Sequence, residues 1–197
     1  MTTEPARPEY LEYFMQIAIA VRERANCLGS RVGAVLVYGD RVIATGYNGT
    51  PENMTNCDKG GCDRCANRDQ YEPGSAYDVC ICVHAEQNAL LSAARFGTAV
   101  EGAVLFTTTR PCFGCTKELL QAHITAVYYL HEWSHPDERL ATEYERLQSR
   151  FSGGVRKVDM IDPREDWAHG RLPSIPFDAE SVGFEPDAAA APDADVE

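Results

Sequence analysis

Two short blocks of metal-ligating residues constrain this chain more than any other feature of its sequence. The first is the tripeptide HAE at residues 84–86, and the second is the pentapeptide PCFGC at residues 111–115. Apolar residues follow each block at helical spacing, and the second block begins with proline, which is favoured in a first helical turn. We therefore expect two helices whose N-terminal ends face each other across one shared site.

The residue types in these blocks predict a catalytic zinc site. His84, Cys112 and Cys115 supply three ligands and leave the fourth position for water, which is typical of a catalytic rather than a structural zinc. The positive ends of two helix dipoles would favour the thiolate form of both cysteines. Glu86 can reach a zinc-activated water without binding the metal, and could carry its proton to a leaving amine. The alternative is structural: a capping or core histidine and two buried thiols.

Length and charge exclude several classes of protein. A chain of 197 residues suits one domain, and its N-terminus lacks the basic-then-apolar order of a signal peptide. No apolar run is long enough to span a bilayer, so we expect a cytoplasmic protein without a membrane partner. The net charge of −12 argues against a partner nucleic acid. A small anionic substrate is compatible with it, because one or two local cations can hold a phosphate.

The periodicity of apolar residues predicts alternating helices and strands. We expect a helix at 10–25, a hairpin at 31–47 turning at Gly39-Asp40, strands at 101–108, 126–130 and 155–160, and a helix at 136–150. This alternation predicts an α/β layered sandwich, and the hairpin makes its sheet mixed. The expected organisation is a flexible leader at 1–9, one domain at 10–177 with a cysteine-rich insertion at about 52–82, and a disordered acidic tail at 178–197.

Six further cysteines indicate a second metal. A reducing compartment disfavours disulfides, so metal binding explains eight cysteines in one chain better. Most of the six lie in or beside residues 52–82, a long polar loop that needs something to hold it. A structural zinc would do so, and spacing alone leaves open which four cysteines would share it. The alternative is a set of unconnected thiols on a loop.

The order of motifs along residues 10–158 resembles that of the deoxycytidylate deaminases within the cytidine-deaminase superfamily. The resembling segments are ANCLGSRVGAVLV, ATGYNGTP, NCDKGGCDRC, CICVHAEQNAL and TTTRPCFGCTKELLQAHITAVYY. The signature H-x-E with P-C-x-x-C is common to zinc-dependent nucleobase deaminases, and the GYNG turn separates this group from many relatives. The resemblance implies a three-layer α/β/α sandwich with a mixed five-stranded sheet, hydrolysis of dCMP to dUMP and ammonia, and a homo-oligomer, often a hexamer.

The resemblance also implies roles for individual residues. His84, Cys112 and Cys115 would bind the catalytic zinc, with Glu86 as proton shuttle, while Asn48 of the GYNG turn would contact the sugar. The alternative for Asn48 is a turn asparagine that bonds its own backbone. A second, structural zinc is implied at Cys27 and Cys57, with Cys62 and Cys80 matching further cysteines and Cys65 and Cys82 as alternates. Effectors of the family, dCTP and dTTP, are expected partners.

The residues that would bind substrate are less constrained by the sequence. Five cations lie near the motifs and could hold a 5′-phosphate or lie on the surface: Arg31, Lys59, Arg64, Arg68 and Arg110. We take Arg31, with Asn48, as the predicted substrate contacts. Tyr128 and Tyr129 could pack on the base or belong to the core. Two other functions remain open: a deaminase of another cytosine or purine nucleoside, nucleotide or base, and a non-catalytic zinc-binding module.

Overall fold

The computed structural model describes residues 7–72 and 79–168. Its elements, in chain order, are α1 Tyr10–Arg22, β1 Gly33–Tyr38, β2 Arg41–Tyr47, α2 Asp63–Ala66, α3 Ala85–Arg95, β3 Val104–Thr109, α4 Phe113–Gln121, β4 Ala126–His131, α5 Glu138–Gln148, β5 Val155–Lys157 and α6 Glu165–Ala168. Most of the predicted leader, the last part of the predicted domain and the predicted acidic tail lie outside the described residues. No helix of the described ranges has the length and apolar character needed to cross a bilayer.

The five strands form one mixed sheet in the order β2-β1-β3-β4-β5. Strand β1 runs antiparallel to both β2 and β3, whereas β3, β4 and β5 are parallel to one another. The predicted hairpin turns at Gly39 and Asp40, whose φ angles are 54° and 60°. Positive φ at both central residues is the requirement of a two-residue turn whose twist matches that of the strands. The predicted mixed five-stranded sheet is confirmed.

Helices cover both faces of this sheet. Successive side chains of a strand point to opposite faces, and β1 is buried on both. Val35 packs with Phe14 of α1 in one core, while Leu36 packs with Ala89 of α3 and Leu119 of α4 in the other. The predicted three-layer α/β/α sandwich is therefore confirmed, with α1 on one side and α3 and α4 on the other.

Helix α3 lies very close to β2 at Gly46. A Cβ atom at this position would come within 2.2 Å of the Ala85 carbonyl oxygen and 2.3 Å of the Ala89 nitrogen. Since real Cβ atoms do not approach backbone atoms so closely, only glycine fits between the strand and the helix. This contact fixes the first turn of α3, which carries the HAE block, against the sheet.

A buried ion pair joins α1 to the C-terminal part of the described chain. The guanidinium of Arg22 donates to both carboxylate oxygens of Asp162, at 2.7 and 2.6 Å, and the two side chains are 0% and 2% exposed. Asp162 also lies 2.6 Å from His131 Nε2 and accepts the Arg164 N–H at 2.8 Å. Residues 162–168 are thus anchored to the sandwich and include the short helix α6.

Candidate active site and cysteine cluster

The two predicted blocks meet at the N-terminal ends of two helices. His84 is the N-cap of α3 and Cys112 is the N-cap of α4. The ring nitrogen Nδ1 of His84 lies 3.4 Å from Cys112 Sγ and 3.3 Å from Cys115 Sγ. Tetrahedral zinc with ordinary bond lengths would place such a nitrogen and sulfur about 3.6 Å apart. The donor set and its spacing therefore fit a zinc ion.

Glu86 lies at the edge of these donors. Its side chain is 4% exposed, and its Oε2 lies 3.6 Å from Cys115 Sγ. Burial, opposed in part by the nearby His84, raises the pKa of the Glu86 carboxyl to about 7. A carboxyl group whose pKa is close to neutral can both accept and release a proton during a reaction. The position and the pKa of Glu86 both suit the predicted proton shuttle.

The donors themselves are paired electrostatically. A hydrogen bond with Cys115 and the neighbouring imidazole of His84 lower the pKa of Cys112 to about 4. Cys112 in turn raises the pKa of His84 to about 9. Both shifts favour a thiolate at Cys112 and a protonated imidazole at His84. Metal binding must displace the imidazole proton, which makes the affinity of the site dependent on pH.

Residues outside the motifs hold the two blocks in place. Gln87 accepts the His84 N–H at 3.0 Å through Oε1, and its Nε2 donates to Glu118 of α4 at 2.9 Å. The Pro111 carbonyl accepts the Tyr144 hydroxyl at 2.6 Å. Gln148, one turn further along α5, donates to the Tyr144 hydroxyl at 2.6 Å. Sequence reasoning missed these partners; the spacing of Tyr144 and Gln148 by four residues indicates a shared helix face but not the residue that this face contacts.

A cleft opens beside His84 and Glu86. Its polar and aromatic lining includes Asn48, Arg64, Thr109, Arg110 and Trp133. Among the described residues, the buried Oγ1 of Thr109 has no hydrogen-bond partner. A buried hydroxyl without a partner is costly, so this atom is suited to bond a ligand held in the cleft.

The predicted substrate contacts are placed differently from one another. Asn48 lines the cleft, but both ends of its amide are used: Nδ2 donates to the Ser30 carbonyl at 2.7 Å, and Oδ1 accepts the Val32 N–H at 2.8 Å. Arg31 lies outside the cleft lining. Its guanidinium carbon lies 4.5 Å from the centre of the Trp167 ring. Asn48 thus shapes the wall of the cleft, and a direct role for either residue in substrate binding stays a prediction.

The aromatic residue at the cleft is Trp133 rather than either predicted tyrosine. Tyr128 stacks on Phe106, with ring centroids 5.0 Å apart. Tyr129 donates its hydroxyl to Glu132 at 2.7 Å. Trp133, in the loop after β4, lines the cleft and packs edge-on against Tyr144 at 5.1 Å. No local pattern in the sequence distinguished this tryptophan, because its place in a loop gives it no periodicity.

The other six cysteines converge on one place next to the cleft. We call them the six-cysteine cluster: Cys27, Cys57, Cys62, Cys65, Cys80 and Cys82. Their sulfurs form two sets, each with all four atoms within 4.8 Å of one another: Cys27, Cys57, Cys65 and Cys82 in one, and Cys62, Cys65, Cys80 and Cys82 in the other. The quartet predicted first, without Cys65 and Cys82, is divided between the two sets. Cys65 and Cys82, expected as alternates, belong to both sets.

A site of this kind in a three-layer α/β/α sandwich defines the class of zinc-dependent deaminases. The family model described as the cytidine and deoxycytidylate deaminase zinc-binding region matches residues 8–131. The chain belongs to this family.

Individual relatives agree with this assignment. Deoxycytidylate deaminase of Schizosaccharomyces pombe is 47% identical over 123 residues, which are 62% of this chain and 37% of that protein. Deoxycytidylate deaminase of Mycobacterium phage D29 is 38% identical over 135 residues, covering 64% of this chain and 98% of that protein. The dCMP deaminase of cyanophage S-TIM5, solved with dCMP and dUMP, is 29% identical with a TM-score of 0.58, covering 78% and 100% of the two chains. The chain thus spans well under half of the yeast relative.

Proposed function

We propose that this protein hydrolyses dCMP to dUMP and ammonia, using a zinc ion held by His84, Cys112 and Cys115. The observation that carries the proposal is the meeting of these three donors with the buried carboxyl group of Glu86 at one end of a cleft. The family assignment supports the same chemistry. The relatives support the substrate, since the phage D29 protein is named deoxycytidylate deaminase and the S-TIM5 enzyme binds dCMP and dUMP.

The residues of the site divide the reaction among them. Zinc, when bound, supplies Lewis-acid activation of a water molecule near neutral pH. Glu86 accepts a proton from the attacking water and delivers it to N3 of the cytosine ring, then takes the second proton from the new hydroxyl group at C4 and gives it to the departing amino group. The net change replaces the exocyclic amine at C4 with oxygen and releases ammonia. Burial of Glu86 keeps bulk water away from this proton transfer and keeps its pKa near neutral.

Arg64 is the proposed contact for the 5′-phosphate. Of the five cations near the motifs, Arg64 and Arg110 line the cleft. Arg110 already serves a structural purpose, because its Nε donates to Gln148 at 2.7 Å and its Nη2 to Glu145 at 3.0 Å. Arg64 lies on the short helix α2 and lines the cleft. A guanidinium there can form charge-assisted hydrogen bonds with a phosphate at the cleft mouth.

Ammonia release from dCMP, deoxycytidine, CMP and guanine, measured side by side, tests the substrate. We expect dCMP to have the highest kcat/KM. Arg64→Gln should lower kcat/KM for dCMP by about 10–100-fold, the value of one or two hydrogen bonds to a charged group. The same variant should leave turnover of deoxycytidine nearly unchanged.

The control is Lys59→Gln, which removes a cation from the same loop at an exposed position outside the cleft lining. It should leave all four rates within about twofold, as for a surface substitution. Equal turnover of dCMP and deoxycytidine by the unaltered protein would contradict recognition of the phosphate. Preference for guanine would assign the chain to a different branch of the family.

Other properties expected from the sequence also remain proposals. We propose that the six-cysteine cluster holds structural zinc, since buried cysteines in tetrads are its preferred ligands. A homo-oligomer, with a hexamer favoured, regulation by dCTP and dTTP, and a cytoplasmic location are predictions. Light scattering would measure the size of the oligomer, and turnover of dCMP with and without each nucleotide would measure the regulation.

A further inference from the structure

We propose that the six-cysteine cluster binds two zinc ions rather than one, and that Cys65 and Cys82 bridge them. The two ions would share these two thiolates, with two further cysteines completing the ligands of each. This proposal rests on the cluster itself and does not depend on the proposed deamination of dCMP.

The first argument is the pattern of membership. Cys27 and Cys57 belong to one set of four sulfurs, Cys62 and Cys80 belong to the other, and Cys65 and Cys82 belong to both. Two tetrahedra that share one edge have six corners, of which two are common. Six cysteines in this pattern give four sulfur ligands to each of two tetrahedral ions, and none is left over.

The second argument is the spacing of the sulfurs. The Sγ atoms of Cys27 and Cys65 are 3.9 Å apart. Those of Cys62 and Cys80 are 3.8 Å apart, and those of Cys65 and Cys80 are 3.7 Å apart. Zinc–sulfur bonds of about 2.3 Å in a tetrahedron place neighbouring sulfurs about 3.8 Å apart. All three distances join members of the same set, and all three match this edge length.

The third argument is charge. Five of the six cysteines are buried, and thiolates are the metal-binding form of cysteine. Two ions among six thiolates would leave a charge of about −2, the same as one ion with four thiolates and two neutral thiols, so the second ion adds no buried charge. A single ion bound by one set would leave the two remaining cysteines of the other set as thiols next to its ligands. Two ions engage every sulfur.

The fourth argument is that the described part of the loop has almost no aliphatic core of its own. Within the part of the chain that the structure describes, the buried apolar residues of this cluster are cysteines, with Leu28 as the exception. In the described ranges, its regular structure consists of α2 and single 3₁₀ turns at Cys57–Lys59 and Arg68–Gln70. The Leu28 N–H points at Cys57 Sγ, at 3.4 Å, as backbone donors do toward metal-bound thiolates. Sulfur–metal bonds would therefore provide the cohesion that an aliphatic core provides elsewhere.

Metal counting on a variant that cannot hold the catalytic zinc tests the proposal. In Cys112→Ser/Cys115→Ser, two of the three catalytic donors are removed and the six-cysteine cluster is intact. Elemental analysis and native mass spectrometry should find two zinc ions per chain in this variant and three in the unaltered protein. A count of one or none in the variant would overturn the proposal. Loss of deaminase activity in this variant is expected from the proposed function and does not bear on the number of ions in the six-cysteine cluster.

Single variants and cadmium NMR test the bridging residues. Cys62→Ala removes a ligand of one ion and should lower the cluster from two ions to one. Cys65→Ala removes a ligand of both and should release both. If Cys65→Ala keeps as much metal as Cys62→Ala, the bridging assignment is wrong. In the unaltered protein loaded with ¹¹³Cd, the two cluster resonances should be split by coupling through the shared sulfurs, and the absence of that splitting would also overturn it.

Discussion

Glutamine in place of Glu86 should lower kcat for dCMP by about 10²–10⁴-fold, the contribution of a positioned acid or base. The zinc content of the protein should not change, because the three metal donors are on other residues. Glutamine has nearly the shape of glutamate but cannot transfer a proton. It should be tolerated in the fold, since a neutral amide is easier to bury than a carboxylate at a position that is 4% exposed.

Steady-state ammonia release and elemental analysis of the same sample measure this prediction. Glu101→Gln is the matched control, because it makes the same chemical change at an exposed turn before β3. The control should retain full activity. Turnover that is unchanged in Glu86→Gln would remove this residue from the mechanism, and loss of zinc would instead make it a metal ligand.

Asparagine in place of Asp162 should lower the free energy of unfolding by about 3–5 kcal/mol, the cost of breaking a buried ion pair by removing one partner. The variant leaves the guanidinium of Arg22 at 0% exposure without a counter-charge. Urea denaturation measures the loss. Arg95→Gln, which breaks the exposed pair with Glu52 at 3.3 Å, should cost less than about 1 kcal/mol.

The same carboxylate makes stability depend on pH. Burial alone would raise the pKa of Asp162, but hydrogen bonds, led by those from Arg22, hold it well below its usual value. An unfolded aspartate has a pKa of about 3.9, so the unfolded chain takes up this proton first as the pH falls. The stabilisation is complete above about pH 5 and decreases progressively below about pH 4. The Asn variant should lose this part of the pH dependence. If its free energy of unfolding falls below pH 4 as steeply as that of the unaltered protein, the assignment is wrong.

Local signals predicted most of the fold and the meeting of His84, Cys112 and Cys115. The turn at Gly39 and Asp40, the alternation in the hairpin and the apolar spacing after residues 84–86 each depend on neighbours in the chain. Small differences arose at element ends: α4 begins at Phe113 with Pro111 outside it, because Cys112 acts as N-cap. These are the boundaries that pattern reasoning determines least well.

Contacts between distant parts of the chain could not be predicted in this way. Arg22 and Asp162 are 140 positions apart, and nothing near either residue indicates the other. The same holds for the support of Pro111 by Tyr144 on α5. The membership of the cysteine sets also depends on how the loop folds, so spacing alone does not identify Cys65 and Cys82 as members of both sets.

The stretch of chain at residues 80–86 delivers side chains to two neighbouring centres. Cys80 and Cys82 join the six-cysteine cluster, while His84 and Glu86 lie in the proposed active site with Cys112 and Cys115. A one-residue insertion or deletion within these seven positions would shift both centres out of register together. This short connector consequently holds the six-cysteine cluster and the proposed active site at one fixed separation.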